Sequence, residues 1–153
     1  MRHVLSLLLA LAAGTAAAEE AAPRPDGRIL GKAALVELVS GATLYGERSD
    51  GTEDIEYHHP DGRSAYWYEG CLYRGQWWAD DQQLCYLYPT TDWPGPHCFA
   101  AEIWQGTLFM VGGGGGAALD LLTVEITGRT EGNSENFPLD AEGGCELVSM
   151  LDR

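Results

Sequence analysis

From residue 42 to residue 127 the chain alternates apolar and polar side chains in short runs, each broken by turn residues. A period of two puts successive side chains on opposite faces of a strand. The runs predict strands over residues 42–46, 53–59, 63–69, 71–79, 82–88, 97–104, 107–111 and 119–127. Asp50-Gly51, Pro60-Asp61-Gly62, Gly70, Asp80-Asp81 and Gln105-Gly106 separate them, and these residue types favour tight turns. A longer loop covers residues 89–96. Ahead of the strands the period changes. Leu35, Leu38 and Val39 recur at i, i+3 and i+4, which predicts a short helix over residues 32–40 that ends at Gly41. Five consecutive glycines at residues 112–116 are expected to interrupt the strands, because each would lose much backbone entropy there. Residues 128–144 read as turn-rich, and residues 145–150 as a last strand or a docked segment.

Short strands joined by short turns describe an all-β domain, an antiparallel meander of about eight strands. A small barrel or a curled sheet satisfies the pattern. The single N-terminal helix would then cover one open end or face. Closure or covering is favoured, since an open sheet with an aromatic face invites aggregation.

The first residues read as an address. Arg2 and His3 precede an apolar run over residues 4–13, and Ala16 and Ala18 form an A-x-A cleavage site. The run is about half the roughly 20 residues needed to span a bilayer, so a membrane anchor is not expected. Residues 1–18 are therefore expected to be a signal peptide, residues 19–29 a flexible lead-in, and residues 30–153 one β-rich domain in the periplasm or secreted. The first cysteine, Cys71, is far from the cleavage site, which argues against a lipid anchor.

Export changes the reading of the four cysteines, Cys71, Cys85, Cys98 and Cys145. In an oxidising compartment they are most simply two disulfides. Three pairings are possible. Cys85 with Cys98 is favoured because both flank one loop, leaving Cys71 with Cys145. A bridge closing about 14 residues is worth about 3 kcal/mol in the chain-entropy model. No C-x2-C spacing supports zinc.

The formal net charge is −14. A chain this acidic does not suit nucleic acid or anionic membranes. It suits a basic protein partner or a cation, although solubility alone also explains it. Twelve of the fifteen aromatic residues lie between Tyr57 and Trp104. Their stacking faces and polar tips could line a cavity for a small apolar or sugar-like ligand, or they could simply fill a small core. Trp77 and Trp78 are neighbours on one strand, so one must face outward. Trp93, Trp77, Trp78 and Tyr86 are the candidate contacts.

Other chemistry is weakly marked. His58 and His59 point to opposite faces, so a metal site would need His97, one of them and a carboxylate. Asp50, Asp54 and Glu56 miss the EF-hand spacing and read as a solvated acidic edge. No serine sits in a G-x-S-x-G elbow, and the glycine run lacks a phosphate loop's Lys. The expectation is a non-enzyme with no cofactor and no metal.

The order of several motifs is informative. An apolar helix runs into Thr43-Leu44-Tyr45-Gly46. Glu56-Tyr57, Pro60-Asp61-Gly62-Arg63, Gly75-Gln76-Trp77, Leu84-Cys85-Tyr86 and then Cys98 follow. This order resembles a family of small exported proteobacterial proteins catalogued as a domain of unknown function, over residues 30–111. The resemblance implies a periplasmic β domain and supports the Cys85–Cys98 pairing. It implies no activity. Trp78, Cys71 and Cys145 depart from the pattern. The resulting expectation is a monomeric, non-catalytic binding module of the bacterial envelope. Inhibition of a basic hydrolase such as lysozyme is the alternative, and a carboxylate-dependent hydrolase is the third.

Overall fold

The computed structural model of the protein describes residues 26–89, 96–113, 120–140 and 146–147. The expected signal peptide, most of the lead-in, Trp93 and Cys145 lie outside the described residues. A two-residue strand β1 (Arg28–Ile29) leads into the helix α1 (Lys32–Val39). Eight strands follow: β2 (Ala42–Arg48), β3 (Glu53–His58), β4 (Arg63–Tyr68), β5 (Cys71–Asp80), β6 (Gln83–Leu87), β7 (His97–Trp104), β8 (Thr107–Gly113) and β9 (Asp120–Glu131). A short β10 (Glu146–Leu147) comes last. Each of β2 to β9 pairs antiparallel with the next, and β9 pairs back onto β2. The meander therefore closes into an eight-strand barrel, the first of the two forms the pattern allowed.

The seam between β2 and β9 carries a bulge. Tyr45 faces Gly128 and Gly46 faces Ile126, which leaves Thr127 as an extra residue. An extra residue sharpens local twist, which helps a small barrel close. The seam also corrects the expectation for residues 128–131. They are polar and turn-like in composition, yet they form the end of β9, pairing Ala42 with Glu131 and Thr43 with Thr130.

Two further corrections concern the edges of the pattern. Strand β8 runs through Gly112 and Gly113 instead of stopping at Val111. The ladder to β7 places Gly112 opposite Phe99, and a Cβ on Gly112 would collide with the Phe99 ring. Space for that ring, and bonds to a neighbour, outweigh the entropy cost of glycine. Arg28 and Ile29, expected in the flexible lead-in, pair with Ile103 and Glu102. Strand β6 meets β7 only over residues 97–100, so β1 occupies the edge that β6 leaves.

Helix α1 packs its apolar side into the core beside β2, β5 and β6. Leu35 and Val39 are fully buried and pack with Leu30, Trp77, Ala79 and Leu84. Each such side chain contributes about 1.5–3 kcal/mol. An eight-residue helix needs that support, because isolated helices shorter than about 12–15 residues are marginal. Arg129 of β9 donates from Nε to the carbonyl of Leu38 at 2.7 Å, satisfying one of the helix's terminal acceptors.

A second apolar cluster lies on the outside of the barrel. Ile55, Tyr57, Ala65 and Leu72 face away from the lumen and are covered by Phe137. The covering segment is held by Arg74, whose Nε donates to the Pro138 carbonyl at 2.7 Å. Asn133 and Phe137 exchange two bonds of 2.8 and 2.9 Å within it. The outer face is thus covered at Ile55, Tyr57, Ala65 and Leu72 of β3, β4 and the start of β5, which frees the inner face of β3 to carry polar side chains.

Candidate functional site

The inner face of β3 presents Asp54, Glu56 and His58 at alternate positions. Each meets a tyrosine hydroxyl from another strand. Tyr66 of β4 donates to Asp54 Oδ1 at 2.7 Å. Tyr88, just past β6, donates to Glu56 Oε1 and accepts from Ser64 Oγ at 3.0 Å. Tyr86 lies 3.0 Å from His58 Nε2. Gly75 makes this possible on β5, because a Cβ there would meet the Leu87 carbonyl and the Tyr88 ring.

Arg48, at the end of β2, completes the upper layer. Its Nε reaches both oxygens of Asp54 at 3.1 and 3.0 Å. A terminal nitrogen donates to the Tyr66 hydroxyl at 2.6 Å, and the guanidinium lies 4.1 Å from the centre of the Tyr68 ring. Arg48 is therefore paired, hydrogen-bonded and stacked at once.

These groups line a pocket that opens to solvent and encloses about 60 Å³ of cavity. Arg48, Asp54, Glu56, Tyr66, Tyr86 and Tyr88 form its polar side. Leu44, Phe99, Met110, Val124 and Ile126 form an apolar side on β2 and β7 to β9. The pocket sits away from α1, since Arg48 ends the strand that begins beside the helix.

Burial sets the charge states. Desolvation pushes the Glu56 carboxyl up from 4.5 to about 8; the nearby Asp54 charge adds to this, and the Tyr88 bond opposes it. Desolvation also pushes His58 down from 6.5 to about 4. At neutral pH both are therefore mainly uncharged, and their 3.6 Å contact is not an ion pair. Burial raises Tyr66, Tyr86 and Tyr88 well above the usual phenol value. Asp54 and Glu56 thus do not form the solvated acidic edge that their sequence suggested. Asp50 alone stays in the turn, accepting from the Thr52 amide at 2.9 Å.

The comparisons find no matching family model, no matching curated protein and no matching solved structure. The site must be read from its own residues.

The four candidate contacts separate. Tyr86 lines the pocket. Trp77 also points inward, but it lies nearer the helix, edge-on to His58 at 5.6 Å and donating from Nε1 to the His59 carbonyl at 2.9 Å. Trp78 is on the outer face and 39% exposed. Trp93 lies outside the described residues. No sequence pattern marks Arg48, Glu56 was expected on a solvated acidic edge, and Tyr88 belonged to the aromatic window without being singled out. The signal that could have found the acids is their spacing with His58, because three titratable residues at i, i+2 and i+4 share one face of a strand. Among the described residues no three His, Cys, Asp or Glu side chains converge as a metal site would require.

Cys85 and Cys98 face each other across β6 and β7 and are joined by a disulfide. Cys71 is also disulfide-bonded. Its expected partner, Cys145, lies outside the described residues, although Leu147 pairs with Cys71 in the β10–β5 ladder. A disulfide is consistent with an oxidising compartment. No helix among the described residues is long and apolar enough to cross a membrane.

Proposed function

We propose that this chain is a non-catalytic, ligand-binding barrel of the bacterial envelope, periplasmic or secreted, that carries a small molecule in its lumen. The pocket between the tyrosine-rich wall and the apolar wall carries this reading. Such two-sided lining, mostly apolar with a few fixed polar groups, is the usual make-up of a small-molecule site. A ligand would enter from the end that holds Arg48, the opposite end of β2 from the one that follows α1. The apparent export signal, the disulfide and the family resemblance support the compartment.

Inhibition of a basic hydrolase is the alternative, and it rests on the acidic charge together with the expected export and disulfides. A carboxylate-dependent hydrolase draws support from Glu56, a protonated acid close to a second carboxylate. Asp54, however, is held by Arg48 and Tyr66 and is poorly placed to act as a base or nucleophile. Native mass spectrometry of protein recovered from its own periplasm tests the leading reading. A bound small molecule that is lost on denaturation is the expected result. Only the bare polypeptide, from gentle preparations at several pH values, would overturn it.

A further inference from the structure

Of the two carboxyls that line the pocket, Asp54 has a cationic partner and Glu56 has none among the described lining residues. Among the described residues that line the pocket, Arg48 is the one with a positive charge, and Asp54 takes it through both carboxylate oxygens. Its remaining contacts are to Tyr66 and the face of Tyr68. An anionic ligand would have to break that arrangement. Glu56 is different. It faces the pocket with its side chain 17% exposed, and the basic group beside it is His58 at 3.6 Å, which burial holds neutral. A carboxyl in this position lacks the counter-charge that a buried carboxylate requires. Around it stand the rings of Tyr66, Tyr86 and Tyr88, with Tyr66 and Tyr88 centroids 5.5 Å apart. Tyrosine faces attract cations, and such rings gathered round a carboxyl suit an ammonium group.

Building on the ligand-binding reading, we infer that the pocket takes a small organic cation. Its ammonium headgroup would lie against Glu56 and the tyrosine rings, and its apolar or aromatic body against Phe99, Met110 and Val124. The cation supplies the charge that Glu56 lacks. Binding below about pH 8 must then release the Glu56 proton to solvent, so affinity rises with pH. The groups facing Glu56 are Arg48 from β2, Asp54 and His58 from β3, Tyr66 from β4, Tyr86 from β6 and Tyr88 just past it. His58 loses its proton at about 4, and burial moves the tyrosines upward, so neither titrates between pH 6 and 9.

The test uses three probes of similar shape on the intact protein. Benzyltrimethylammonium carries a fixed positive charge, neopentylbenzene is its neutral carbon isostere, and phenylacetate is an anion. Calorimetric titration should show the cation binding at least about tenfold more tightly than either other probe at pH 9. Its affinity should rise about 100-fold from pH 6 to pH 9, with one proton released per cation at the low end. Glu56→Gln should flatten that pH dependence and weaken binding at pH 9. If the neutral or anionic probe binds as well as the cation, or if cation affinity does not change with pH, the inference fails while the ligand-binding reading stands. If none of the three binds at any pH, both fail. The probe ranking and the wild-type pH dependence need no variant.

Discussion

Replacing Glu56 by Gln should change the pH dependence of stability in a way that no other lining residue would. Glu56 has an ordinary value of 4.5 and a folded value of about 8. Between those values the native state holds a proton that the unfolded chain has lost. Stability therefore falls as pH rises through this window and is least above pH 8. The full interval corresponds to about 5 kcal/mol, an upper figure because the side chain retains some contact with the pocket. His58 acts with the opposite sign. Its folded value is about 4 against an ordinary 6.5, so its contribution is present above 6.5 and is lost as pH falls toward 4. In the wild type the two slopes oppose each other between about pH 4.5 and 6.5, and only the Glu56 loss operates from 6.5 to 8. That last step is worth about 2 kcal/mol. Glu56→Gln keeps an acceptor for Tyr88 and removes the titration. The difference in unfolding free energy between variant and wild type should shift in the variant's favour by about 4 kcal/mol from pH 5 to pH 9. Urea denaturation followed by far-ultraviolet circular dichroism at four pH values measures it. Taking the difference cancels every group the two proteins share. Parallel pH profiles for the two proteins would refute the picture of Glu56 as a buried, protonated carboxyl.

Two further perturbations test the scaffold. Cys85→Ser should cost about 2–5 kcal/mol, measured as a lower denaturation midpoint, and peptide mapping under non-reducing conditions should find no free thiol at Cys98 in the wild type. Gly75→Ala should destabilise by about 1–3 kcal/mol, because its methyl would collide with the Leu87 carbonyl oxygen and lie 2.6 Å from Cδ1 of Tyr88; stability equal to the wild type would show that neither group lies against β5 as described.

The framework was legible because its signals are local. Alternation and turn residues placed β3, β4, β5, β6 and β7 to within about a residue at each end, as expected where each strand's partner is its immediate neighbour. The Cys85–Cys98 bridge was legible for the same reason, since its two cysteines sit opposite each other on consecutive strands. What failed was non-local. Residues 128–131 carry no strand pattern of their own and are ordered by β2, more than 80 positions away. Arg28 and Ile29 are too short a segment to show any period, and only the vacant edge of β7 gives them a place. The site was hidden by an inverted pattern. On β3 the apolar residues Ile55 and Tyr57 face outward beneath Phe137, while Asp54, Glu56 and His58 face the lumen. Binary patterning assumes the opposite. The acids become acceptable inside only once Tyr66, Tyr86 and Tyr88 arrive from later strands, and no spacing within β3 announces those partners.

The seam between β2 and β9 has a kinetic consequence. Neighbouring hairpins can form as soon as their own residues are available, but the seam joins the first barrel strand to the last. Contacts between distant parts of a chain close late, after the loop entropy of everything between them has been overcome. If the chain crosses a membrane unfolded from its N-terminus, residues 26–113 can assemble as a curled sheet while β9 is still arriving. At that stage Leu44 lies on one edge, and its pocket neighbours Val124 and Ile126 are absent. Phe99 and Met110 are already in place, so the apolar wall is completed in the same step that closes the barrel, and a ligand held there would report that folding is complete.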